Sequence, residues 1–508
     1  MNYTNPISDR AQQFARHFDA AADRKDTKEV SELIGIAKAV ADEEDALSQA
    51  YIFYCIGNMY SLFPIQLCGS KEKSTENVLY YYRKSITEIE KEDYSEPSFS
   101  PYIKPFKGLL YTNYANELDR CGRKIAAIEQ YRKAVIEYPK LGMALGNIGI
   151  AYQHYGALEY DNGHRDYFHY FAYQYLKMGA NSDDLNTTST AKQAFESSMK
   201  LYSQEYVEKV LEPNLNIPQF TYDDPEELEY RQWCLSHRLF LNTLNDLPIS
   251  ELCFAADVLQ LPDMMVDQYE TPVFHGMFAS LKQEYIYARY LYYEASEPGI
   301  MPIFADRETC IESYTDFASY SIRLEKLKTA FKTLYGLFDK IAFFLAHYFD
   351  IGFQLLQHIN ARTVWKMHIG SKKSGYNLKN PLDYSNNVAL SALYWICKDF
   401  FYVEESDNSP NPELKRIADI RNFLEHRYVK IYNDILCNDI RDFKDELAEY
   451  ISEEELCRMT MTLLKVLREA IISLSLCVKI AEQPKQISAK DHLVIPLSLM
   501  DYDDEWKI

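Results

Sequence analysis

Three side chains toward the C-terminal end have types and spacing that suit acid–base chemistry at a phosphate. They are Arg421, Asn422 and His426, within the run Arg421-Asn422-Phe423-Leu424-Glu425-His426. Imidazole is the side chain that ordinarily titrates near neutrality, so a histidine here could take a proton from a ribose 2′-hydroxyl or give one to a leaving oxygen. The arginine is always charged and offers a planar fork of donors to a phosphate crowded with negative charge. Asn422 could hold the imidazole's tautomer or orientation by hydrogen bonding. The plainer reading is the charged face of a surface helix, and the surrounding elements must decide between the two.

Asn411-Pro412-Glu413 supplies an N-cap, a proline at the first helical position and an acid in the first turn. Leu414, Ile417, Ile420, Leu424, Tyr428, Ile431 and Leu436 then follow helical spacing and predict one long helix with a single core-facing arc. Asn422, His426 and Lys430 recur every four residues on the opposite face, with Lys415 nearby. Five residues of an ideal helix turn through roughly 140°, so Arg421 and His426 of one chain point different ways. A site using both needs a bend, a long reach by the arginine, or a second copy of the helix across a two-fold axis. Lys415, Arg416, Arg421, Arg427 and Lys430 also form a cationic patch in a chain of net charge −21. That charge argues against broad nucleic-acid binding and confines any RNA contact to such a patch.

The flanking sequence predicts the rest of a helical bundle. From Tyr320 the apolar positions Leu324, Leu327, Phe331, Leu334, Phe338, Ile341, Leu345 and Tyr348 keep three-four spacing up to Gly352. Ala389, Leu393, Ile396 and Phe400 mark a second helix. Ser452-Glu453-Glu454-Glu455 reads as a capping box opening a third, through Leu456, Leu463, Leu467, Ile471 and Leu474 to about Ala481.

The pattern Arg-Asn-x-x-x-His at 421–426 resembles the signature of the HEPN family. The segments Ser321-Ile322-Arg323-Leu324-Glu325-Lys326-Leu327-Lys328 and Phe338-Asp339-Lys340-Ile341-Ala342 resemble the first helix of a bacterial HEPN subfamily, so the resemblance covers about 320–480. It implies a helical bundle that dimerises and cleaves RNA without metal or other cofactor, leaving a 2′,3′-cyclic phosphate. His426 would be the acid or base, Arg421 the phosphate clamp and Asn422 the support, with Lys415, Arg416, Arg427 and Lys430 on RNA. It also implies a role in stress response, as a toxin or in antiviral defence, with tRNA among the candidate substrates. The competing expectation is a non-catalytic scaffold that dimerises through the same bundle, with Arg421 paired to Asp419 or Glu425 of the partner subunit.

The N-terminal half follows another pattern. Tyr111, Ala115, Ala127, Tyr131, Ala134 and Pro139 fall at the small, aromatic and proline positions of a tetratricopeptide-like repeat. Asn147, Gly149 and Tyr152 begin a second copy, while Gly57, Tyr60, Tyr82 and Ser85 suggest an earlier one interrupted around Lys71–Thr75. Such stacks present concave surfaces to a protein or peptide, and this one could gate the bundle. Gly142, Gly146 and Gly149 lack the Lys-Ser/Thr of a phosphate loop and read as helix packing.

The expectation is therefore an all-α protein of four parts. A helical-repeat domain spans 1–180, a proline-interrupted connector 181–315, a HEPN-like bundle 316–482 and a tail 483–508. The connector's Tyr230-Arg231-Gln232-Trp233-Cys234-Leu235 and Leu241-Asn242-Thr243-Leu244-Asn245-Asp246-Leu247 suit tight packing. Ten cysteines without a Cys-x-x-Cys pair suggest reduced thiols in a cytoplasm, and Cys437, Cys457 and Cys477 lack the histidines a zinc site would bring. No apolar run is long enough for a membrane helix; Leu463–Val478 is interrupted by Lys465, Arg468 and Glu469.

Overall fold

Helical periodicity runs through most of the sequence, and the computed structural model is all-α apart from short strands. It describes residues 5–94, 99–212, 215, 217, 220–265, 271–296, 304–308, 318–351, 359–365, 367–369, 377–379, 382, 384–400, 411–432 and 446–488. Gly352 and Leu436, both invoked in the periodicity above, lie outside this set, as does most of the expected tail. The chain divides into two units: Met1–Asn216 with Tyr402–Pro412, and Ile217–Phe401 with Glu413–Ile508.

The first unit is built from α1 (Asp9–Asp23), α2 (Thr27–Ala41), α3 (Ala46–Leu62), α4 (Pro64–Cys68), α5 (Lys71–Ile89), α6 (Ser100–Arg120), α7 (Lys124–Glu137), α8 (Gly142–Leu158), α9 (Asn162–Ala180), α10 (Ser189–Met199) and α11 (Gln204–Tyr206). Polar caps start many of them: the side chains of Ser8, Asp26, Asp45, Ser70, Asp161 and Thr188 each accept the N–H three residues on. Each such cap stabilises its helix by about 1 kcal/mol. Gly122, at φ 86°, turns the chain from α6 into α7. Helices pair α3 with α5, α6 with α7 and α8 with α9.

Those pairings explain the pattern of small and aromatic residues. Tyr111, Ala115, Ala127, Tyr131 and Ala134 are all buried. A Cβ on Gly57 would lie 2.7 Å from the Tyr82 ring. On Gly179 it would lie 2.6 Å from the Gly146 backbone, and on Gly149 it would lie 2.7 Å from the Leu176 amide. These contacts set α8 and α9 antiparallel at backbone-to-backbone distance, so the glycines serve helix packing.

The second unit holds α12 (Pro225–His237), α13 (Val273–Ser296), α14 (Ile322–Tyr348), α15 (Val388–Phe400), α16 (Pro412–His426) and α17 (Glu453–Ser488). Its strands are β1 (Met367–Ile369), antiparallel to β2 (Asn377–Lys379), and β3 (Tyr428–Tyr432), parallel to β4 (Ala448–Ser452). α17 is the spine: at ~1.5 Å per residue its 36 residues run about 54 Å. It packs against α13, α14 and α15. The predicted capping box forms, with Ser452 Oγ accepting from the Glu455 amide at 3.1 Å. At the far end, buried Glu482 accepts from the Tyr348 hydroxyl at 2.6 Å and from the Met265 amide at 3.1 Å.

The stretch expected to be a connector, 181–315, is divided between the units at Asn216 and Ile217. Its later part is stitched into the bundle by two buried arginines. Arg468 of α17 reaches Asp246 at 2.7 and 3.2 Å and also donates to the carbonyls of Phe240 and Asn242. Arg289 of α13 makes a bidentate pair with Asp257 at 2.9 and 2.7 Å and donates to the Leu239 carbonyl. Burial opposes the charge on Asp257, but Arg289 and the Leu241 amide pull its carboxyl below the ordinary range. Arg468 therefore does not break an apolar face; two carbonyls and a carboxylate of the buried loop at 239–247 satisfy it.

Candidate active site

The predicted long helix ends early. α16 stops at His426, and after Arg427 the chain becomes strand β3. Tyr428-Val429-Lys430-Ile431-Tyr432 is rich in β-branched and aromatic residues, and Val429 and Ile431 are buried while Tyr428, Lys430 and Tyr432 are not. Parallel pairing with β4 completes the ladder, and a bridge from Ala318 to Tyr432, with the Ser319 amide donating to the Ile431 carbonyl at 2.8 Å, adds a third piece. Lys430 is thus on a strand, and the four-residue repeat Asn422–His426–Lys430 is not one helix face. Tyr428, expected in the core, is 45% exposed.

Within α16 the core face is as the spacing predicts up to Ile420. Leu414, Ile417 and Ile420 are buried. The helix is tied to α17 by Glu413, which accepts from Arg458 at 2.6 Å, and to both β4 and α17 by Arg416, which meets Glu449 at 2.8 Å and Glu455 at 3.3 Å. Arg416, expected on RNA, has its charge met by these carboxylates. Lys415 is exposed.

Arg421 sits at the edge of the core face. Its guanidinium lies 5.3 Å from the centre of the Tyr335 ring on α14 and donates to the Asn422 side-chain oxygen at 3.2 Å. Tyr335 is buried, and burial holds its hydroxyl above the usual phenol range while Arg421 pulls the other way. Asn422 and His426 are exposed, His426 as the last residue of the helix. Arg427 is also exposed and stacks over Phe423, 5.1 Å from its centre. Arg421 and Asn422 are thus in contact, His426 follows Asn422 one turn on at the end of the helix, and the cations Lys415, Arg427 and Lys430 lie on α16, on the residue after it and on β3.

Residues 265–481 match the family described as LA2681-like HEPN. The C-terminal region is a HEPN domain. No curated protein and no solved structure matches the chain. The match begins upstream of 316, so the HEPN domain takes in α13 as well as α14 to α17. The residues that carried the resemblance in its first helix are structural. Ser321 caps α14 by accepting from the Leu324 amide at 3.2 Å, and Arg323 pairs with Glu453 at 2.6 Å. Asp339 accepts from the Ala361 amide at 2.9 Å, and Lys340 pairs with Glu284 of α13 at 2.6 Å. Among the described residues no group of three metal-ligating side chains occurs, and no helix is long and apolar enough to cross a membrane.

Sequence reasoning missed two side chains of the site. Tyr335 lies one step off the apolar stripe Leu334–Phe338, and its partnership with Arg421 joins positions far apart in sequence. Tyr428 was read as a core position because its phase fits the helix before it, whereas it opens strand β3.

Proposed function

We propose that the HEPN domain is a metal-independent endoribonuclease whose site is completed by a second copy of the chain. The observation that carries this is the arrangement of α16: the guanidinium of Arg421 is held at one edge over Tyr335, while the imidazole of His426 stands exposed at the helix end. One chain does not bring the two together, whereas a two-fold contact through the exposed face would set the Arg421 of each copy near the His426 of the other.

In the proposed reaction a ribose 2′-oxygen attacks the adjacent phosphorus, losing its proton to a base, and the bond to the 5′-oxygen breaks as that oxygen is protonated. The products are a 2′,3′-cyclic phosphate and a 5′-hydroxyl. His426 serves as acid or base, Arg421 meets the charge on the phosphate oxygens, and Asn422 keeps the guanidinium in place through the bond between them. Lys415, Arg427 and Lys430 supply further charge to RNA, with tRNA among the substrates to try. The first unit serves as a protein- or peptide-binding gate in a cytoplasmic stress or defence response. The acidity of the whole chain favours the competing scaffold reading, so the test must read cleavage itself.

Arg421→Ala and His426→Ala proteins are each expected to cut RNA far more slowly than wild type. After unfolding and refolding together they should recover roughly a quarter of the wild-type rate, because half the dimers are mixed and one of their two sites is intact. No recovery in a verified mixed dimer would contradict the shared site. A cleavage rate untouched by both substitutions would overturn the Arg421–His426 site and the mechanism built on it.

A further inference from the structure

The face of β3 that turns away from the core carries Tyr428, Lys430 and Tyr432, and the register places Lys430 beside Tyr450 of β4. The Lys430 ammonium lies 5.5 Å from the centre of the Tyr428 ring and 5.6 Å from that of Tyr450. Tyr320, brought alongside by the bridge between Ala318 and Tyr432, shares a 3.0 Å hydrogen bond between its hydroxyl and that of Tyr428. The opposite face, with Val429, Ile431 and Ile451 buried, fixes which way the ladder looks. Two rings flanking an ammonium offer a π-face to a base and a charge to the phosphate beside it. Only Arg427 separates this platform from His426 in the chain. In a protein of net charge −21 a small basic and aromatic surface complements one nucleotide, not the extended backbone of a duplex.

We propose that Tyr428, Lys430 and Tyr450 form a subsite for an unpaired RNA base next to the phosphate presented to His426. This rests on the nuclease reading above and adds to it the residues that take the base, which must be unpaired because a base inside a duplex already has both faces stacked. The same cluster could instead only brace the two-stranded ladder, in which case changing it would leave RNA binding alone.

The test uses full-length protein carrying His426→Ala, so that RNA is bound without being cut, and a fluorescent single-stranded RNA followed by anisotropy. Adding Tyr428→Ala is expected to weaken binding about tenfold, adding Tyr428→Phe by less than about twofold, and a fully paired RNA should bind more weakly than the single strand. Lys430→Gln, which keeps the strand's length and polarity, should weaken binding and flatten its salt dependence. Alanine at both 428 and 450 with affinity unchanged would overturn the subsite. If wild type cuts RNA and those variants bind like the parent, the subsite falls and the nuclease stands. If the platform variants lose binding but wild type cuts nothing, the nuclease falls and the subsite stands. A parent that binds no RNA refutes both.

Discussion

The guanidinium of Arg421 is positioned by a ring, not by a carboxylate. Resting on Tyr335 and bonded to Asn422, it keeps its full charge for an incoming phosphate. Replacing Tyr335 by Phe retains the ring and should leave cleavage within about twofold of wild type. Replacing it by Leu should cost about tenfold or more, the scale of a cation–π contact of ~1–2 kcal/mol. Comparing kcat for the two variants checks this; equal loss in both would place the effect on the hydroxyl instead. A second residue-scale prediction concerns Asp257. Arg289 lowers its carboxyl below the ordinary value of 3.8 in the folded chain. A lowered folded value means stability present at neutral pH and lost as pH falls below 3.8 toward that value. Asp257→Asn should be less stable at pH 7, and its unfolding midpoint should fall less steeply than that of wild type as pH drops below 3.8.

Among elements, the long helices were legible because their signals are local. α14, α15 and α17 carry three-four spacing, and Ser452 caps α17 as its capping box predicts. The motif itself was legible for the same reason: its three residues lie within two turns. What was not legible depends on distant partners. β3 forms because β4 and the segment at Ala318 pair with it, and a run of Tyr428 to Tyr432 that also continues the helical phase does not announce partners that lie elsewhere in the sequence. Arg468 read only as an interruption of the apolar run Leu463–Val478, because the loop carbonyls and the carboxylate that satisfy it are remote in sequence. Arg468→Ala leaves Asp246 buried without its partner and should cost roughly 3–5 kcal/mol in denaturant unfolding of the full chain. The glycines give a paired prediction. Gly179→Ala forces a Cβ against the Gly146 backbone and should destabilise by about 1–3 kcal/mol, whereas Gly35→Ala in α2 meets nothing within 4 Å and should stabilise by up to about 1 kcal/mol. Equal and small effects at both would show that α8 and α9 do not approach so closely.

At the scale of the whole molecule, a HEPN domain and a separate helical unit share a chain of net charge −21. Such a protein should hold RNA through few phosphate contacts. If Lys415, Arg421, Arg427 and Lys430 are those contacts, log affinity should fall against log salt with a slope of only about −2 to −3. A far steeper slope would mean a larger basic surface than this. The most direct test of the central claim is to incubate the full-length protein with cellular RNA in EDTA and analyse the ends of any fragments, with His426→Ala in parallel. Wild type is expected to give fragments bearing 2′,3′-cyclic phosphates, and the variant none. Cleavage that disappears with the chelator, or that His426→Ala performs equally well, would contradict the claim.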